Sequence, residues 1–120
     1  MTNSEIRAWY LGRIAEISNL NQAWIAQGVN LQERAMRVWR IRYDARVQAR
    51  SMMENPFEVA DLRERDRLLY GNPDGPTFDQ LVRESHQQGL QDDEAYERII
   101  SGSQKTNKDV NKLFDQKKPP

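Results

Sequence analysis

The sequence predicts an all-α fold, a compact bundle built around one long central helix, and three observations lead there. Glycines, prolines and capping residues cut the chain into segments. Apolar residues within those segments recur at three-and-four spacing. No window alternates apolar and polar residues with the β-branched enrichment of a strand. At 120 residues the chain is long enough for one domain and not for two. Leu, Ile, Val and Phe total 25, which with a formal charge of zero predicts a foldable chain with a thin core.

Taken in order, Ser4 is a candidate cap for a first helix to about Ser18, with Ile6, Trp9, Tyr10, Ile14 and Ile17 on one stripe. A second short helix, Leu20 to Gln27, carries Trp24 and Ile25 and stops at Gly28. Asn30 and Glu33 read as a capping box, and nothing after them breaks a helix before Met53. Asn55-Pro56-Phe57-Glu58 places an Asn cap, a proline at the first helical position and an acid at the third, starting a helix that reaches about Tyr70 before Gly71. Gly71-Asn72-Pro73-Asp74-Gly75-Pro76 reads as a rigid corner between the N-terminal helical layer and a group of short helices. Thr77 and Gln80 box the next helix, which ends at Gln88 before Gly89. Asp92 caps another through Ser101, and Thr106 to Asp109 starts a last turn or two ending near Phe114. The organisation expected is therefore one helical domain over residues 1–114 and a mobile tail over 115–120.

The central segment from Leu31 to Met53 carries two apolar arcs. At 100° per residue, Leu31, Val38, Ile41, Ala45, Ala49 and Met52 share one arc; Met36, Tyr43 and Val47 fall roughly opposite, with Trp39 to one side. Two apolar faces predict a helix buried on both sides by its own chain. The alternative leaves Met36, Trp39, Tyr43 and Val47 as a partner contact. Ala45 and Ala49 are small enough for another helix to approach closely.

Charge balances in sum and not along the chain. Residues 1–53 carry +4, residues 54–104 carry −7 and residues 105–120 carry +3. All 13 arginines precede residue 99 and all five lysines follow residue 104. This predicts that the basic long helix packs on the acidic second half. Arg42, Arg46 and Arg50 form a stripe at four-residue spacing that acids such as Asp61, Glu64, Asp66, Asp92, Asp93 and Glu94 can face, and the planar guanidinium suits carboxylates. The functional alternative is an arginine ladder for phosphate or RNA, which the acidity of the remaining chain disfavours.

Several chemistries are excluded. Without cysteine there is no disulfide scaffold, thiol nucleophile or thiolate-bound metal, and a single histidine rules out a multi-histidine metal centre. No phosphate loop or dinucleotide fingerprint occurs, so no cofactor is expected. Asn72-Pro73-Asp74-Gly75 resembles part of a calcium loop, but Tyr70 and Leu81 would stand at the first and twelfth positions, and neither is a ligand. His86, near Asp79 and Glu84, is a candidate general base; a surface histidine is the simpler reading. The alternating charges of Arg63 to Arg67 read as a solvated face, and the polar run Ser101 to Asn107 as a capped loop rather than an anion site. No apolar run is long enough to span a membrane, and the charged N-terminus does not read as a signal peptide.

Three stretches, Ala45 to Met53, Leu62 to Asp66 and Tyr70 to Phe78, resemble the C-terminal helical region of bacterial polymorphic toxins, the Rhs-type and type VI secretion effectors. The likeness continues through Asp93 to Ser103 and Thr106-Asn107, and spans roughly residues 40–111. It implies an effector domain or effector-associated protein made in the bacterial cytoplasm and exported by a specialised secretion system, with a cognate inhibitor or a target as protein partner. It brings no catalytic residues with it. The expectations are then an effector domain acting through a specific macromolecular contact, a non-enzymatic adaptor or inhibitor, or a small metal-independent nuclease using Arg46, Arg50, His86 and nearby acids.

Overall fold

A computed structural model describes residues 1–102. Five helices pack together, with no strand among the described residues: α1 (Asn3–Ala26), α2 (Leu31–Met52), α3 (Pro56–Tyr70), α4 (Phe78–Gln87) and α5 (Asp92–Ser101). The expected last helix near Thr106 to Phe114 and the tail lie outside the described residues.

The first two helices expected are one. The cap of α1 is Thr2, not Ser4: the Thr2 hydroxyl accepts from the Glu5 amide, and the Glu5 carboxylate accepts from the Thr2 amide. Only Thr2 has a glutamate three residues on, so only it closes the reciprocal box. These hydrogen bonds, chiefly the one from the Thr2 backbone, hold the Glu5 carboxyl below its ordinary range. No break occurs at Ser18-Asn19, because the buried stripe of Ile6, Tyr10 and Ile17 continues in register to half-buried Trp24. Tertiary burial overrides the weak helix propensity of Ser and Asn there. Gly28, at φ +78°, turns the chain into α2, and Arg34 ties that corner down by donating to the Val29 carbonyl and the Asn21 side chain.

α2 is the expected rod. Asn30 caps it by accepting from the Glu33 amide, while the Glu33 carboxylate turns forward to Arg37 instead of back to the cap. α1 and α2 run antiparallel, which sets Ile6 and Tyr10 beside Ala45 and Ala49 at one end and Ile17 beside Ala35 and Val38 at the other. Leu62 of α3 and Met53 complete the first cluster; Ile99 and Ile100 of α5 complete the second. The second arc of α2 is not buried on both sides. Met36 and Val47 remain 44% and 39% exposed, because the corner and α4 cover only the middle of that arc, at Trp39 and Tyr43.

The later caps follow the expected signals with one shift. Asn55 accepts from the Phe57 and Glu58 amides ahead of Pro56, Gly71 closes α3 in the left-handed region, and Thr77 and Gln80 form the box of α4. α5 is capped by Gln91, one residue before Asp92. No described helix is long and apolar enough to cross a membrane.

Candidate functional site, the cleft beside the central helix

The corner after α3 is fastened to α2 along three of its turns. The Trp39 indole donates to the Pro76 carbonyl at 3.0 Å, the Tyr43 hydroxyl to Asp74 at 3.5 Å, and Arg50 to the Pro73 carbonyl at 2.6 Å. Asp74 also accepts from Arg63 of α3 at 2.6 Å. Within the corner the Asn72 side chain accepts from the Asp74 amide, and buried Gly75 sits at φ +108° directly under the Arg46 guanidinium. A Cβ on Gly75 would stand 2.8 Å from an Arg46 terminal nitrogen. The density of Pro, Gly, Asn and Asp here therefore has a specific cause: the backbone must lie flat beneath an arginine and present its carbonyls to α2.

The arginine stripe divides into separate roles. Arg50 and Asp66 are each 4% exposed and ion-paired, and Arg46 reaches the same carboxylate at 3.3 Å. One buried acid on α3 thus takes two arginines from successive turns of α2. Burial pushes the Arg50 guanidinium down from its ordinary range and Asp66 opposes that shift; the buried Nε of Arg50 has no hydrogen-bond partner among the described residues. Arg42 points the other way and donates to the Ile99 and Ile100 carbonyls at the end of α5. A cation there meets the negative pole of that helix. Burial lowers the Arg42 pKa and nearby Tyr10 offsets it. Of the acids expected to face the stripe, Asp66 does so; Glu64 pairs with Arg67, Glu94 belongs to the α5 cap and Asp92 pairs with His86.

Between α2, the corner, α4 and the end of α5 lies a cleft of about 560 Å³. α2 contributes Trp39, Arg42, Tyr43 and Arg46, and Tyr10 of α1 reaches it from beneath. Asp74 and Pro76 form the corner side, Glu84, Ser85 and Gln88 the α4 side, and Arg98, Ser101 and Gly102 the α5 end. The Trp39 and Tyr43 rings lie 5.2 Å apart, and Trp39 meets the edge of Phe78, which stacks on Tyr96. The walls thus combine aromatic surface with three arginines and two acids, a lining suited to recognition by shape and polar contact together.

Of the basic residues singled out from the sequence, Arg42 and Arg46 line the cleft. Arg50 is committed to Asp66 and Pro73, and His86 is exposed on α4 with Nε2 2.6 Å from Asp92 Oδ1. Of the partner-contact set, Trp39 and Tyr43 line the cleft, while Met36 and Val47 extend the stripe along the outside of α2. Sequence reasoning did not find Tyr10, Glu84, Ser85 or Arg98. Each sits on a helix whose periodicity assigns it a face, but no local signal states which helix that face meets. No group of three or more metal-ligating side chains occurs among the described residues. Compared with known proteins, the chain matches no family model, no curated protein and no solved structure.

Proposed function

We propose that this chain acts by binding another protein through the outer stripe of α2 and the cleft that adjoins it, as a bacterial effector domain or effector-associated protein meeting its target or cognate inhibitor. The observation that carries the binding reading is one stripe, Met36, Trp39, Tyr43 and Val47. Its ends are exposed apolar side chains, and its middle is an aromatic pair lining the cleft. Exposed apolar surface around rigid aromatic anchors is the composition of binding hot spots. The effector setting rests on the sequence resemblance over residues 40–111.

A second reading, a non-enzymatic adaptor or inhibitor, draws support from the arginines. Arg42, Arg46 and Arg50 are spent on joining α2 to α5 and α3. The nuclease reading needs Arg46, Arg50 and His86 at one site; Arg50 is buried and pinned, and His86 stands outside the cleft, so the geometry gives it the least support.

Inducible expression in a bacterial cytoplasm separates these readings. Wild type should arrest growth, and a Met36→Glu/Val47→Glu variant, altered only at exposed positions, should not. Absence of arrest by wild type removes the effector reading and leaves the adaptor. Arrest that survives the double variant removes this stripe as the contact.

A further inference from the structure

We infer that the outer face of α3 is a self-association surface, on which a second copy of this chain lies antiparallel to the first. This is a different face from the α2 stripe and does not depend on it. The buried side of α3 holds Glu58, Leu62, Asp66 and Tyr70. Its other side leaves two large apolar residues outside, Phe57 at 81% exposure and Leu68 at 70%, while Leu69, at 55%, lies within the arc of the buried side near the end of the helix. Phe57, Asp61, Glu64 and Leu68 follow four-three-four spacing and form one stripe. Asp61, Glu64, Arg65, Leu68 and Leu69 surround a shallow hollow. Four of them are related as i, i+3, i+4 and i+7, the outline of the hole that receives a knob from a facing helix.

The charges select the occupant. Glu64 is satisfied within its own helix by Arg67. Asp61 and Arg65, one turn apart, make no ion pair or hydrogen bond among the described residues. A two-fold axis crossing α3 near residue 63 sets Phe57 of each copy against Leu68 of the other. The same operation sets Asp61 of each copy against Arg65 of the other, twice over. An isologous interface requires this kind of self-complementarity, and a single register pairs both the apolar residues and Asp61 with Arg65, while the two Glu64 carboxylates that meet beside the axis are each held by Arg67 of their own helix. Parallel pairing would instead place Asp61 on Asp61 and Arg65 on Arg65. One helix face covers less area than a standard stable interface, so the dimer is reversible and concentration-dependent.

Sedimentation equilibrium of the full chain, from micromolar to millimolar concentration, tests this. The expected result is a reversible monomer–dimer equilibrium that Leu68→Glu abolishes with no loss of melting temperature. Asp61→Arg should weaken dimerisation at least several-fold, and Asp61→Arg/Arg65→Asp should restore it. The chain has no cysteine, so the register can be read by single-site oxidation. Glu64→Cys, beside the axis, should form a disulfide dimer. Glu54→Cys should not, because copies of any residue at or before Phe57 stand about 18 Å or more apart in the antiparallel pair, beyond disulfide reach. A monomer at every concentration, with α3 then open to an unlike protein, overturns the proposal. So does a dimer that survives Leu68→Glu, or one that cross-links at Glu54→Cys as readily as at Glu64→Cys.

Discussion

Both ends of α2 rest on apolar clusters, but only the carboxyl-terminal end is also locked by buried charge. Its amino-terminal half packs through Ala35 and Val38 onto Ile17, Ile99 and Ile100, with Trp39, Phe78 and Tyr96 continuing that cluster as touching rings. Its carboxyl-terminal half is lined by Ala45 and Ala49 against Ile6, Tyr10 and Leu62, and is locked by Arg46 and Arg50 on Asp66 with the corner beneath them. Apolar burial is non-directional and tolerates small shifts of one helix along another. A carboxylate shared by two guanidiniums tolerates few. The contrast separates two tasks along one helix: both halves bury apolar surface, and the second also fixes the position of α3 and of the corner that walls the cleft. Buried ion pairs contribute little net stability against apolar replacements, but losing one partner is costly because a charge is stranded.

That distinction gives the largest expected effect. Asp66→Ala leaves Arg50 buried with no carboxylate and removes the anchor of Arg46. Urea unfolding should show a loss of about 3–5 kcal/mol. Replacing Asp66, Arg46 and Arg50 together by apolar residues of similar volume should recover much of it. A loss below about 1 kcal/mol for Asp66→Ala would place the clamp with ordinary surface ion pairs.

The aromatic end is broken by Trp39→Ala. The ring is half-buried, touches Phe78 and Tyr43, and donates to Pro76. Truncating a fully buried aromatic costs about 3–5 kcal/mol, so partial exposure puts Trp39→Ala at about 2–3 kcal/mol. Trp39→Phe, which keeps most of the packing and drops the donor, should cost about 1 kcal/mol. Equal losses for the two variants would show that the Pro76 hydrogen bond, and not ring packing, holds the corner at this end.

How far the sequence reveals this molecule differs between the same two regions. Helix starts and stops were readable wherever a side chain satisfies its own backbone, as at Asn30, Asn55 and Thr77, because those interactions are local. The split expected in α1 failed because its continuation is decided by contacts with α2, which no local residue encodes. The charge asymmetry along the chain correctly predicted that the basic helix meets an acid of the second half. It did not single out Asp66 among six candidates, since that choice depends on the rotation of α3 about its axis. The cleft was half legible: Trp39, Tyr43, Arg42 and Arg46 share the central helix, whereas Glu84 and Arg98 arrive from elements whose placement is purely tertiary.

Gly75→Val tests the corner between the two ends. The backbone there lies at φ +108°, a region that favours glycine, and the new side chain would collide with Arg46. The expected cost is about 1–3 kcal/mol for the backbone conformation alone. Because the Arg46 guanidinium must move off Asp66, Gly75→Val and Asp66→Ala should be less than additive in a double-mutant cycle. Full additivity would mean that Arg46 accommodates the valine without leaving the clamp. An unchanged melting temperature for Gly75→Val would show that the corner is not the fixed wall of the cleft.

The smallest effect is expected at the exposed contact between His86 and Asp92, an ion pair when the imidazole is protonated, which sharpens the comparison by contrast. It joins α4 to α5 at 2.6 Å, as close as many buried pairs, but its side chains are 46% and 66% exposed. Solvent screens such a pair, and ordering two side chains offsets its attraction, so His86→Ala should change stability by about 0–1 kcal/mol. Salt distinguishes the two kinds of pair directly. Raising ionic strength should erase whatever His86→Ala costs, while the cost of Asp66→Ala should persist, because counter-ions cannot enter a site sealed between α2, α3 and the corner. If both costs vanish together in salt, water and ions reach Asp66, and the mechanical difference between the two ends of α2 disappears with them.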